Sequence, residues 1–229
     1  SYSFLSRILL VLLVSGSFSH ALAQTYAFNT LAGEVTKIGS VNGPGATAQF
    51  NFPEGLAIDG EGNLFVCDRN NHAIRKIDAA GFVTTFAGNP GSAGSVDGVG
   101  STARFRSPRG LAVDASGSVF VADYENRIIR KITPDGIVRT LAGSATGSGS
   151  LDGAGSVARF RGPNRIAVDQ DRNVFVSDTD NHTIRKIAGG QVTTLAGLAG
   201  TTGNVDGVGS VARFNAPGAI HVTPAGMLL

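Results

Sequence analysis

Short apolar runs separated by turn residues recur along most of the chain. In the segment 108–143, the first two runs end at Asp114 and Asp123, a third spans residues 128–132 and a fourth spans residues 137–141. Clusters of glycine, serine, proline and asparagine separate these runs at hairpin distances. The segment therefore predicts four short antiparallel strands in one meander.

The apolar pattern also predicts how the strands are buried. The first two strands of each meander, such as residues 56–58 and 64–66, are apolar at every position instead of alternating with polar residues. That pattern is typical of strands that are covered on both faces. The fourth strand, such as residues 83–86, mixes threonine with apolar residues, which favours a half-solvated outer position.

This pattern repeats along the chain with a nearly constant period. Phe50, Phe105, Phe160 and Phe214 are spaced by 55, 55 and 54 residues, and the same motifs surround each of them. A repeat of this length built from strands predicts an all-β fold, a β-propeller of four-stranded antiparallel blades. The predicted units are 53–107, 108–162, 163–216 and a partial 217–229, which make about three and a half blades of an incomplete ring.

Each blade is joined to the next by a long insert with its own repeated pattern. Residues 89–107 contain Asp-Gly followed by Ala-Arg-Phe, and this pattern returns in later copies. Its repetition predicts an ordered segment in which Val96, Val99, Ala103 and Phe105 cover the gap between blades. We expect one helical turn within residues 99–105. The preceding region, 24–52, is predicted to hold a closing outer strand (27–33) and the first insert.

The first residues have a different character. Arg7 precedes an aliphatic run over residues 8–14, and Ala21-Leu22-Ala23 fits a small-x-small cleavage site. These features predict a secretory signal peptide over 1–23, and therefore a secreted, periplasmic or extracellular protein. No other segment is apolar enough to predict a membrane span in the mature chain.

Composition and charge narrow the range of partners. The 229 residues are 42% hydrophobic and 16% charged, and the net charge is +2. This charge lacks the basic excess of a nucleic-acid-binding protein, so no nucleic-acid partner is expected. The single cysteine, Cys67, has no partner for an internal disulfide. It aligns with Ala122 and Ser177, which predicts a small buried residue.

The motifs resemble those of the NHL repeat family. The resemblance rests on residues 53–59, 62–68 and 70–77, which recur at 108–132 and 163–187, and on the Asn-His pairs at 71–72 and 181–182. It implies a six-bladed propeller, which at this period needs about 330 residues. We therefore expect the chain to be a fragment whose missing C-terminal blades close the ring. A partial ring that closes by self-assembly is the alternative.

Several charged residues repeat in every blade. Asp68, Asp123 and Asp178 end the second strands, and the sequence predicts that each accepts N–H bonds and pairs with an arginine on the same hairpin (Arg75, Arg130 and Arg185). Because a single binding site seldom needs the same residue in every blade, these positions are interpreted as structural. His72 and His182 are likewise expected to hold a hairpin through a ring nitrogen and not to bind a metal.

The inserts carry both acidic and basic residues. Asp97, Asp152 and Asp206 each lie in a glycine-rich loop with one carboxylate, too few oxygens for calcium. We expect them to pair with the arginines seven residues on. Those arginines, together with four others in or next to the inserts, are also candidates for a basic rim that contacts an anionic polysaccharide or an acidic protein; the full set is Arg104, Arg106, Arg109, Arg159, Arg161, Arg165 and Arg213.

Positions that differ between otherwise matching blades are better candidates for a binding site. They lie in the loop between the second and third strands, on the same face as the inserts. The first position of this loop is occupied by Arg69, Tyr124 and Thr179, and the second by Asn70, Glu125 and Asp180. The sequence predicts that a partner contacts this face.

These observations favour a secreted binding scaffold that is not an enzyme, has no cofactor or metal, and recognises a protein or a polysaccharide. The alternative is a hydrolase or lyase with a metal at the central channel and its catalytic residues in missing blades. On the strands that line the channel, the only candidate polar groups identified are Asn164 and His221.

Overall fold

The computed structural model of the protein describes residues 29–229. The predicted signal peptide, 1–23, lies outside the described residues. The predicted closing strand over 27–33 begins outside them, and residues 29–33 form no strand. Within residues 29–229, no helix is long and apolar enough to cross a bilayer.

Three antiparallel sheets of five strands form the structure. Blade 1 contains β1 (Gly43–Pro44), β2 (Pro53–Ile58), β3 (Leu64–Asp68), β4 (Ala73–Ile77) and β5 (Phe82–Ala87). Blade 2 contains β6 (Gly98–Val99), β7 (Pro108–Val113), β8 (Val119–Asp123), β9 (Ile128–Ile132) and β10 (Ile137–Gly143). Blade 3 contains β11 (Gly153–Ala154), β12 (Pro163–Val168), β13 (Val174–Asp178), β14 (Thr183–Ala188) and β15 (Gln191–Ala196). The predicted all-β fold of repeated blades is confirmed.

Short 3-10 turns complete the described secondary structure. Three of them join the second and third long strands of the blades, at Arg69–Asn71, Tyr124–Asn126 and Thr179–Asn181. Two others lie in inserts, at Gly100–Thr102 and Gly209–Val211. The partial fourth unit contains one isolated bridge between Val222 and Leu228.

The hydrophobic core lies between neighbouring blades. One cluster joins Phe65 and Cys67 of blade 1 to Leu111 and Val121 of blade 2. A second cluster joins blade 2 to blade 3 in the same way. Each blade therefore buries its apolar surface against the next one, as the apolar runs predicted. Cys67 is fully buried, and burial raises the pKa of its thiol.

The inner strands of successive blades approach so closely that they require glycine. A Cβ atom added to Gly55 would collide with the carbonyl oxygen of Arg109, and one added to Gly110 would collide with that of Asn164. On its other side, the inner strand of blade 1 has no neighbouring blade among the described residues, so its side chains are more exposed. Leu56 in β2 is 68% exposed, whereas Leu111, its counterpart in β7, is 6% exposed.

Each insert adds a fifth strand to the blade that follows it. Val99 in β6 pairs with Ile137 in β10, so the insert covers the outer edge of blade 2 and satisfies hydrogen-bonding groups there. The predicted helical turn is present as the 3-10 turn at 100–102. Ala103 and Phe105 are buried as expected, but Val96 and Val99 are more than half exposed. The prediction was wrong for these two valines because the insert pairs along the edge through its backbone.

A buried ion pair fastens each insert to its blade. In blade 2, Arg130 Nη1 lies 3.1 Å from Asp123 Oδ2, and both side chains are fully buried. The equivalent pair in blade 1 is at 2.8 Å and that in blade 3 is at 3.2 Å; these pairs are Arg75–Asp68 and Arg185–Asp178. The structure thus brings together the residues that the sequence analysis paired.

The remaining polar atoms of the pair bind the insert and the adjacent turn. Arg130 also donates to the carbonyl oxygens of Arg104 and Val96, at 2.8 and 3.0 Å. Asp123 accepts from the Asn126 side chain and from the backbone N–H of Arg106. Burial raises the pKa of Asp123 to about 6, although Arg130 opposes this shift. Removing both charges from water costs free energy that offsets much of their attraction. We therefore infer that the pair contributes little net stability and mainly fixes the position of the insert.

The acidic residues of the inserts have different partners from those expected. Asp97 accepts from Arg130 at 2.8 Å, and Asp152 accepts from Arg185 at 2.6 Å. The expected pairing with Arg104 and Arg159 was therefore wrong. Each aspartate points toward its own blade, where it also accepts from a threonine of the outer strand.

Three arginines of the predicted basic rim, Arg104, Arg159 and Arg213, bind their own inserts. Arg104 Nη1 donates to the carbonyl oxygens of Ser101 and Ala103, at the end of a 3-10 turn. Arg159 and Arg213 bind the corresponding turns in the same way. These contacts satisfy turn carbonyls, so the three side chains have a structural role in addition to their charge.

We expect Gly110→Ala to destabilise the protein by about 1–3 kcal/mol, because the new methyl group would collide with the backbone of blade 3. Gly60→Ala is the control, since a Cβ there meets nothing within 4 Å, and it should change stability by less than about 0.5 kcal/mol. Guanidinium denaturation measures both values. Equal losses would contradict the close packing of inner strands.

We expect Arg130→Met to cost about 3–5 kcal/mol, because it leaves the Asp123 carboxylate buried without its partner. Arg106→Met removes an exposed arginine whose pair with Glu125 is largely solvated, and should cost at most about 1 kcal/mol. Thermal and chemical unfolding compare the two variants. A loss below about 1 kcal/mol in Arg130→Met would show that the buried pair does not hold the insert.

Candidate functional site

One end of the blades gathers the residues that differ between repeats. Pro53 at the start of β2 lies opposite Asp68 at the end of β3. The start of each inner strand and the 3-10 turn after the second long strand therefore lie at the same end. We call this end the loop face. The three 3-10 turns at 69–71, 124–126 and 179–181 lie on it.

The structure divides the candidate residues of the loop face into two groups. Arg69, Tyr124 and Asp180 contact residues of the inner strands or of a neighbouring blade. Glu125 pairs with Arg106 at 3.0 Å on the exposed rim. Asn70 lies 3.4 Å from Asn51, and Thr179 donates to the Pro217 carbonyl oxygen. Only the first group converges.

The sequence analysis missed Glu54, near the start of β2, and it assigned Arg109 and Arg165, near the starts of β7 and β12, only to the basic rim of the inserts. For the strands that line the channel it considered only Asn164 and His221, because it examined the apolar centre of each strand. The sequence signal that could have identified these residues as a candidate site is that aligned positions differ from blade to blade. Glu54, Arg109 and Asn164 occupy one aligned position, and Arg165 stands where blades 1 and 2 have glycine.

These side chains form one polar group at the inner edge of the loop face. We call it the mouth cluster; its members are Glu54, Arg69, Arg109, Tyr124, Arg165 and Asp180. Every member is partly exposed, so solvent reaches the cluster. It contains three guanidinium groups and two carboxylates.

The Glu54 carboxylate bridges two blades. Arg165 Nη2, in blade 3, lies 3.0 Å from Glu54 Oε1 and donates a hydrogen bond to it. Arg69 Nη1, in blade 1, lies 3.6 Å from Glu54 Oε2 without forming a hydrogen bond. Within residues 29–229, Oε2 has no hydrogen-bond partner although it is buried. The bridge is therefore only half formed.

Arg109 and Tyr124 form the other half of the mouth cluster. The Arg109 guanidinium carbon lies 3.4 Å from the centre of the Tyr124 ring, which gives a close cation–π contact. The Tyr124 hydroxyl donates to Asp180 Oδ2 of blade 3 at 3.0 Å. Burial, and then the hydrogen bond to Asp180, raise the pKa of Tyr124. Tyr124 therefore acts as a neutral donor that holds Asp180.

His72 and His182 connect successive units. His72 Nδ1 accepts the backbone N–H of Ser107 at 3.1 Å, and His182 Nδ1 accepts that of Ala216 at 3.0 Å. The expected hydrogen bond is thus made to the next unit and not within the hairpin. Arg127 occupies the matching position in blade 2. There the residue aligned with Ser107 is Gly162, and its backbone N–H donates to Asp178 Oδ1 instead.

The described residues offer no ready-made metal site. In residues 29–229, no group of three or more histidine, cysteine, aspartate and glutamate side chains is arranged to hold a metal ion. Asp97 and Asp152, considered for calcium, are bound to buried arginines. The chemistry that the mouth cluster supports is recognition of a charged group.

Two family models match the chain. The model described as "NHL repeat" matches residues 50–77 and 160–187. The model described as "Teneurin NHL domain" matches residues 91–150. The matches fall on the segments that form the blades and the insert between blades 1 and 2.

Two related proteins match parts of the chain. NHL repeat-containing protein 2 of Bos taurus is 32% identical over 140 residues, which cover 56% of this chain and 19% of that protein. A probable peptidyl-alpha-hydroxyglycine alpha-amidating lyase of Caenorhabditis elegans is 28% identical over 143 residues, which cover 62% of this chain and 38% of that protein. The chain spans well under half the length of either relative.

A solved structure has a similar fold. A gluconolactonase from Xanthomonas campestris superposes with a TM-score of 0.53 at 17% identity, covering 79% of this chain and 69% of that one. At this identity the likeness concerns the fold alone.

The expectation that the chain is not an enzyme was wrong. Its relatives include a lyase, so the repeat architecture does not exclude catalysis. The physical reason is that the blades are built by residues that repeat, whereas any chemistry depends on a few residues at the mouth that are free to differ.

We expect His72→Ala to destabilise the protein by about 1–3 kcal/mol more than Arg127→Ala, because it leaves the buried N–H of Ser107 without an acceptor. Both residues have a left-handed backbone, with φ of 56° and 57°, so the strain of the new alanine is matched. Chemical denaturation gives the difference. Equal stabilities would mean that the histidine bond contributes nothing to blade docking.

Proposed function

Because the chain is an NHL-repeat protein with propeller-type blades, we propose that it recognises a partner through its loop face, with the mouth cluster at the centre of the contact. The blades supply a rigid support for this surface. The proposal concerns recognition and does not depend on whether a chemical step follows it.

One observation carries this proposal. The scaffold contacts repeat in all three blades, from the buried arginine–aspartate pairs to the insert turns. The residues of the mouth cluster do not repeat, yet they converge from different blades. Divergent charged residues that gather on one partly exposed surface, in addition to the contacts they make between blades, support contact with something outside the chain.

The leader-like segment 1–23 supports a secreted or extracellular location for this function. In that location a protein or a polysaccharide is the expected partner. The near-neutral net charge of +2 does not favour a nucleic acid. A mouth cluster with an excess of arginine favours a partner that carries negative charge.

The similarity to an amidating lyase supports a second function, elimination or hydrolysis at the channel. The second function is tested by measuring turnover of a peptidyl-α-hydroxyglycine substrate by the protein, with and without added divalent metal. Turnover that depends on the protein would establish the activity. A rate equal to that of buffer under both conditions would count against this substrate class.

We expect Arg109→Ala to weaken partner capture, because Arg109 lies in the mouth cluster and a central arginine often contributes about 2 kcal/mol or more to binding. A polysaccharide array and a set of secreted proteins, probed with the labelled chain, measure the retained partners. Retention should fall at least about tenfold.

Arg172→Ala is the matched control. Arg172 is exposed in the turn between β12 and β13, at the opposite end of the blades. Unlike Arg109 it has a left-handed backbone, with φ of 64°, so the stability of both variants is measured alongside capture. It should capture the same partners as the unmodified chain. If both variants retain the same partners equally, the loop face is not the recognition surface.

A further inference from the structure

We infer that the mouth cluster is a carboxylate-binding site whose present occupant is the chain's own Glu54, and that an acidic sugar unit replaces Glu54 when it binds. The inference rests on the proposed recognition function and specifies the ligand as a uronic acid of an acidic polysaccharide.

The charge balance of the mouth cluster favours an incoming anion. Arg69, Arg109 and Arg165 face only two carboxylates, and one of these, Asp180, accepts from the Tyr124 hydroxyl. Glu54 is the remaining counter-charge for Arg69 and Arg165. One carboxylate therefore serves two guanidinium groups from different blades.

The position of Glu54 shows that the space between these guanidinium groups accommodates a carboxylate. It also shows that Glu54 does not fill that space well. Its Oε1 accepts from Arg165 at 3.0 Å, but its Oε2 remains 3.6 Å from Arg69. A side chain tethered to β2 has limited freedom to adjust, whereas a free ligand can place both oxygens. A carboxylate that bonds both arginines would form the charge-assisted contacts that Glu54 leaves unmade.

The depth of the cluster favours a sugar over a folded protein surface. The side chains of Glu54, Arg69 and Arg165 are 23%, 28% and 33% exposed, less than those of Arg106 and Glu125 on the rim, which are 57% and 43% exposed. A flat acidic protein surface would meet the rim first. A thin chain that carries one carboxylate on each sugar unit can enter.

The test is isothermal titration of the protein with trigalacturonate, with galactotriose as the neutral analogue and sodium sulfate as a non-carboxylate anion. Trigalacturonate should bind, and galactotriose should not. Binding of sulfate as tight as that of trigalacturonate would overturn the inference, because it would indicate a general basic patch.

Two variants separate replacement of Glu54 from a simple charge effect. Glu54→Gln removes the internal occupant, so it should raise the affinity for trigalacturonate on the order of tenfold. Glu125→Gln makes the same charge change in the rim pair with Arg106, and should change affinity less than about twofold, as expected for an exposed charge. Equal effects of the two variants would overturn the replacement of Glu54.

Arg165→Lys keeps the charge but loses the planar guanidinium, and should weaken binding at least about fivefold. Unchanged affinity in this variant would contradict direct recognition by Arg165. If no probe binds while partner capture still depends on Arg109, the carboxylate inference fails and the recognition function stands. If neither is observed, both fail.

Discussion

Burial of apolar surface between neighbouring sheets is the constraint on which the structure depends. The two larger hydrophobic clusters join Phe65 to Val121 and Phe120 to Val176, across blade boundaries, and a smaller one packs blade 1 against the segment that precedes it. Every other feature follows from this arrangement. The inner strands must approach closely, which requires glycine at 55 and 110, and the outer edges must be closed by another part of the chain.

The buried arginine–aspartate pair provides that closure. Arg130 reaches from β9 to the insert, and Asp123 reaches from β8 to the same segment. Together they hold an insert that would otherwise be a long loop over a sheet edge. Since the removal of two charges from water is costly, the benefit lies in a defined position for the insert. The 3-10 turns of the loop face are positioned by the same atoms, because Asn126 binds Asp123.

Because repeated residues build the blades, a few positions near the starts of the inner strands need not repeat. Glu54, Arg109 and Arg165 lie near the starts of the inner strands, outside the apolar centres that build the blades, and they differ between aligned positions. The separation explains how relatives can differ in activity while sharing blades. It also explains why the apolar centres of the channel strands wrongly suggested that the chain was not an enzyme: the repeated residues describe the scaffold, and function depends on the few that differ.

The sequence by itself determined the four longer strands of each blade, the period and the buried pairs, but not the short fifth strand that each insert adds. Apolar runs and turn residues are local signals, so the limits of β9 (Ile128–Ile132) were predicted without error. Repetition identified Asp123 and Arg130 as structural residues because each lies within one hairpin. Only the tertiary structure decided that Asp97 binds Arg130 instead of Arg104, and that Glu54 meets Arg165. These partners are 33 and 111 residues apart, and their contact depends on how an insert folds back and how separate blades are placed, which no local pattern encodes.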